Sequence, residues 1–125
     1  MTFQINTPPE VKTRLVFLMQ NYHVGQRKAI KKRDLLKEVF GDAADQNESY
    51  NNMQDRQIRD AINKANEEGA LICSSARHGY WWAADMSDGI GAVEENKSRA
   101  LTQLANVSTL EKNLQREYGG QLGLL

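Results

Sequence analysis

An α+β fold of three short helices, a small antiparallel sheet and one long final helix is predicted by three features of this 125-residue sequence. First, residues 53–67 place Ile58, Ala61, Ile62 and Ala65 on one side at helical period, and Gly69 stands where a left-handed residue ends such a helix. Second, two short apolar runs at 71–74 and 80–83 follow at once, joined by a polar turn through Gly79. Third, residues 92–118 carry a helical pattern of mixed charge that stops at Gly119-Gly120. A helix running straight into a hairpin is the core of a winged helix-turn-helix. The expected organisation is that domain over residues 1–85, a linker at 86–91, a C-terminal helix at 92–118 and a flexible tail at 119–125.

In chain order, residues 1–6 read as a loose arm anchored by Phe3 and Ile5. Thr7-Pro8-Pro9-Glu10 is a helix start, with Thr7 as cap, Pro8 at the first helical position and an acid in the first turn. Val11, Leu15, Leu18, Met19 and Tyr22 keep the period, so this helix faces the core and ends before Gly25. Residues 29–31 are expected to form a third strand of one or two bonds. A second helix over 32–40 turns Leu35, Leu36, Val39 and Phe40 inward, with Gly41 past its end. Residues 42–52 are polar and aperiodic, a loop with room for a helical turn near 43–45, and Asn52 caps the third helix with Asp55 in a capping-box position. In the last helix Val93, Ala100, Leu101, Leu104, Val107, Leu110, Leu114 and Tyr118 are apolar. Lys97 and Glu111 interrupt the a/d register and argue against a long autonomous coiled coil.

Composition narrows the function classes. The chain carries 16 basic and 16 acidic residues, which argues against a purely electrostatic nucleic-acid binder. The charge is uneven, with a net of +5 over residues 1–41 and −4 over 42–69, so one face can still be basic. No run is long and apolar enough to span a bilayer and no signal-peptide core is evident, so no membrane partner is expected. One cysteine, Cys73, excludes an internal disulfide and fits a reducing cytoplasm. Cys73, His23 and His78 are too few and too irregularly spaced for a metal site, and neither a phosphate-binding glycine motif nor a catalytic constellation is present. The expectation is a non-enzyme without cofactor.

The candidate site residues fall into three groups. On the third helix Gln54, Arg56, Gln57, Arg59, Asn63 and Lys64 are of the kinds that make paired hydrogen bonds to base edges or reach phosphate, although Asp60 and Glu67 share the outer face. The basic segment supplies Arg27, Lys28, Lys31, Lys32 and Arg33, suited to gripping phosphate without specifying sequence. Arg77 and His78 occupy the hairpin tip, where a wing touches an adjacent backbone. In Tyr80-Trp81-Trp82, alternation sends Trp81 to one face and its neighbours to the other; core closure and packing of the last helix is the expected use.

Arg33-Asp-Leu-Leu, Asp55-Arg-Gln-Ile-Arg-Asp-Ala-Ile, Glu68-Gly-Ala-Leu-Ile-Cys-Ser-Ser and Gly79-Tyr-Trp together resemble small winged helix-turn-helix proteins of bacteriophages and prophages. The resemblance spans residues 11–84, more loosely the last helix, and departs at the long 42–52 loop. It implies duplex-DNA binding in phage replication or transcription control, in a bacterial cytoplasm. The final Gln121-Leu-Gly-Leu-Leu resembles the peptide by which bacterial replication proteins bind the sliding clamp. Gln121, Leu122 and Leu124 match, while Gly123 and Leu125 depart. The alternative reading is an adaptor, or a phage-encoded inhibitor of a host protein, on the same scaffold. A homodimer through the last helix is compatible with either.

Overall fold

The computed structural model describes residues 7–41, 44 and 53–122. The N-terminal arm, the loop apart from Ala44, the Asn52 cap and residues 123–125 lie outside them. The described chain is α+β: α1 (Pro8–Tyr22), a short 3-10 turn (Gln26–Lys28), α2 (Lys32–Phe40), α3 (Met53–Glu67), β1 (Ile72–Ser75), β2 (Gly79–Trp82) and a long α4 (Met86–Leu122). Contacts divide it into two units, Met1–Ala92 and Val93–Leu125.

The first three helices form where the apolar period requires. Thr7 caps α1 through its side chain, which accepts from the Glu10 amide, and prolines fill the first turn, where no amide partner is needed. Val11, Leu15, Leu18 and Met19 of α1 meet Leu35, Leu36, Val39 and Phe40 of α2 and Ile58, Ala61, Ile62 and Ala65 of α3 in one core. Tyr22 departs from its expected inward place. It is 59 % exposed, because the helix ends with it and its ring turns out to meet Phe17 edge-on.

β2 is the central strand. On one side it pairs antiparallel with β1, Ile72 opposite Trp82 and Cys73 opposite Trp81. Both strands are offset by one residue from the expected 71–74 and 80–83. Leu71 is half-exposed, while the Asn66 side-chain amide binds both the N–H and C=O of Ile72, fixing where β1 begins. On its other side β2 meets two isolated bridges, Val24 to Trp82 and Ile30 to Tyr80. The expected third strand is therefore one residue long. It makes two bonds, Ile30 N–H to Tyr80 O and Tyr80 N–H to Ile30 O, each 2.8 Å.

The sheet is covered on both faces. Tyr80 and Trp82 pack on the helical core. Trp81 points the other way and is fully buried beneath the start of α4, where its indole N–H donates to the Asp88 carbonyl at 3.3 Å and Ala92 is also buried. Residues 86–91, expected as a linker, are thus helical and part of the folded unit. Asp85 caps them by accepting from the Asp88 amide at 2.8 Å, which, with the Ser87 hydroxyl, holds its carboxyl below the usual carboxylate range. A Cβ at Gly89 would meet Ala83 and Cys73 only at ordinary van der Waals distance, so packing does not require glycine there. Gly119 and Gly120 do not end α4, which runs on to Leu122. Glycine costs a helix about 1 kcal/mol relative to alanine without removing an amide donor.

Gly79 is the position that glycine alone fits. Its φ is +97°, and a Cβ would lie 2.3 Å from the Ile30 carbonyl oxygen, a backbone atom that cannot swing aside. Gly79→Ala is expected to destabilise the domain by about 1–3 kcal/mol or more and to expose the Ile30 and Tyr80 amides to hydrogen exchange. A melt and an exchange profile check this; unchanged protection at those two amides would contradict it.

Candidate nucleic-acid interface

The 3-10 turn and the hairpin tip, far apart in sequence, are held together. The Ile30–Tyr80 bridge sets their spacing, the Lys31 ammonium donates to the Arg77 carbonyl, and the Gln26 amide lies 3.2 Å from the His78 ring. Ser75 fixes the tip from within, its hydroxyl oxygen accepting from the His78 amide at 2.9 Å. Arg27, Lys28, Lys31 and Arg77 are all exposed around this junction, and Arg27 and Lys28 make no ion pair with any described residue.

Two side chains brace the basic turn. The His23 ring sits 2.9 Å from the Lys28 carbonyl and 2.8 Å from a Glu38 carboxylate oxygen, so the turn is tied to α2. The Asp88 carboxylate accepts from the Gln26 amide at 3.0 Å and from the Ala84 amide at 2.9 Å, joining the turn to the chain that leaves β2. A fixed turn presents its cations without the entropy cost of ordering them on contact.

Asp55 links the basic segment to α3. It is 5 % exposed, the one strongly buried charged residue among those described, and lies 3.4 Å from both the Lys32 ammonium and the Arg59 guanidinium. Its position is that of a buried acid in contact with α2's first turn. The signal was in the spacing, since Asp55 stands three residues before Ile58 on the apolar stripe. Tyr80 lies close enough to feel it: burial first, then the Asp55 charge, push the phenol above its ordinary range.

The candidates on α3 divide by face. Arg56 and Asn63 are exposed, as are Asp60 and Glu67; no Arg56–Asp60 ion pair forms, and Lys64 leans toward Glu67 at 4.0 Å. Gln57 and Lys64 line an open, mainly apolar cleft with Pro8, Pro9, Lys12, Asp60 and Ala61 at the start of α1. Gln54 is half-buried. Arg59 alone of the set is joined, through Asp55, to Lys32 and so to the basic turn. Of the tail, Gln121 and Leu122 end α4, and Leu124 and Leu125 lie outside the described residues.

α2 begins with cations and without a side-chain cap. Lys31 stands at the cap position, its side chain makes no capping hydrogen bond, and Lys32 and Arg33 open the helix. Lysine and arginine there oppose the helix dipole unless an anion is nearby, as Asp55 is for Lys32. Cys73 has no comparable role: burial, then Asp88, push its thiol upward, which keeps it protonated and a poor nucleophile.

Among the described residues no group of three His, Cys, Asp or Glu is placed to hold a metal ion, and no helix is long and apolar enough to cross a membrane. No protein-family model, curated protein or solved structure matches this chain.

Asp55→Ala is expected to cost about 1–3 kcal/mol by leaving buried polar surroundings without their anion. It should also release Arg59 from its ion pair. Chemical denaturation, with chemical shifts of the Arg59 guanidinium, checks both effects.

Proposed function

We propose that this chain is a non-catalytic winged-helix protein that binds duplex DNA, of the kind found in bacteriophages and prophages and acting in replication or transcription control. Strand order supports the winged-helix assignment: β2 lies between β1 and the single paired residue Ile30, which falls between α1 and α2. One observation carries the DNA reading. The cation-rich start of α2 is bridged to the hairpin tip by Ile30–Tyr80 and Lys31–Arg77. In this reading backbone phosphate sits at that start, gripped by Arg27, Lys28, Lys31, Lys32 and Arg33, with Arg77 and His78 on a neighbouring phosphate. α3 presents Arg56 and Asn63 to a groove, and Arg59 turns from Asp55 toward the DNA.

Duplex affinity should fall with salt at a log–log slope of about −0.9 per phosphate contacted. Replacing Arg27 and Lys28 together by alanine should weaken binding equally for all sequences and flatten the slope by about 2. Fluorescence anisotropy across a salt series reads both. Absence of binding at low salt would refute the proposal.

The tail, in the same proposal, recruits the protein to a bacterial sliding clamp. Gln121 and Leu122 are helical, so engagement in an extended form requires the last turn of α4 to unwind. Removing residues 121–125 should abolish capture by immobilised clamp and leave duplex affinity unchanged; undiminished capture would dismiss the motif.

A second reading, an adaptor or an inhibitor of a host protein, is favoured by Asp60 and Glu67 on the outer face of α3 and by the exposed Phe17–Tyr22 pair. Nuclease-resistant capture of a host protein, with no duplex binding, would select it.

A further inference from the structure

The second unit is a helix whose apolar residues have no cover of their own. Along α4, Val93, Leu101, Leu104, Val107, Leu110, Leu114 and Tyr118 are between 38 % and 62 % exposed. Counting Leu104 as an a position, the seam comprises Ile90, Val93, Lys97, Ala100, Leu104, Val107, Glu111, Leu114 and Tyr118. Leu101 and Leu110 flank it. One helix cannot bury such a stripe against itself.

The two charges on the seam identify the cover. Lys97 and Glu111 lie seven residues either side of Leu104, and neither makes an ion pair or hydrogen bond with another described residue. In a parallel, in-register pair each would face its own copy, lysine on lysine and glutamate on glutamate, two repulsive layers. In an antiparallel pair centred near Leu104, each lysine lies alongside the other copy's glutamate. With each a position against a d position of the other copy, Leu104 lies against Val107 and Val93 against Tyr118, and Lys97 and the other copy's Glu111 fall in neighbouring layers.

We infer that α4 pairs antiparallel with α4 of a second copy of this chain, with Lys97 of each copy against Glu111 of the other. The residues that break the heptad pattern are then its orientation signal, since opposite charges specify register and direction where apolar contacts do not. The inference does not rest on the DNA reading, and its test contains no DNA.

The test uses the full chain in sedimentation equilibrium. A dimer, twice the 14.1 kDa chain mass, is expected. Lys97→Glu should weaken it about tenfold or more, because each antiparallel dimer then holds two like-charged contacts. The double exchange Lys97→Glu with Glu111→Lys should restore it. Circular dichroism on each variant separates loss of pairing from loss of helix. A parallel dimer already contains like-charge layers, so insensitivity to the single variant, or no rescue by the double one, overturns the inference. So does a monomer at all concentrations, including one whose α4 is protected from exchange by its own chain, or a trimer.

Discussion

The structure depends on one four-residue strand being paired along both edges. β2 takes β1 on one side and the backbone at Val24 and Ile30 on the other, and it sends Tyr80 and Trp82 into one packing layer and Trp81 into a second. A two-stranded hairpin is marginal alone in water. Here it is stabilised because its faces are buried by different parts of the chain. The close approach at Gly79 lets the basic turn lie against the hairpin tip, and every cation proposed to meet phosphate is placed by that contact or by the α2 start next to it.

The neutral balance of the chain hides this arrangement. Acids are used internally: Asp55 beneath Lys32 and Arg59, Glu38 against His23, Asp88 on backbone amides, and Glu68 paired with Lys12, which holds its carboxyl below the ordinary range. Each is committed to a structural partner, whereas Arg27 and Lys28 are not. A net charge of zero is therefore a poor guide to the field at one surface.

Helix positions and their buried faces were legible in the sequence because apolar period, a Thr-Pro start and glycines past the ends act locally. The α2 bounds and the inward set on α1, Tyr22 excepted, follow from those signals. The strand edges were less legible, because the Asn66 side chain, six residues away, decides where β1 begins. Asp55 was legible only in part. Its neighbours in sequence suggest a cap, while its long-range neighbours Lys32 and Tyr80 make it a buried anion. The start of α4 reads as a linker in sequence because Ser-Asp-Gly and a second glycine are poor helix formers. Trp81 gives that segment a reason to be helical that no local propensity contains.

α4 belongs to the domain only at its beginning. Asp88 and Ala92 are fixed to the sheet and the basic turn, and Val93 onward forms the other unit. Trimming the chain after residue 85 would remove the roof of Trp81 and the acceptor of the Gln26 amide together, leaving a solvated indole and a loosened turn. The smallest piece that keeps both is the one ending at Ala92. Asp88 thus serves the sheet and the basic turn at once, through its carbonyl on Trp81 and its carboxylate on Gln26.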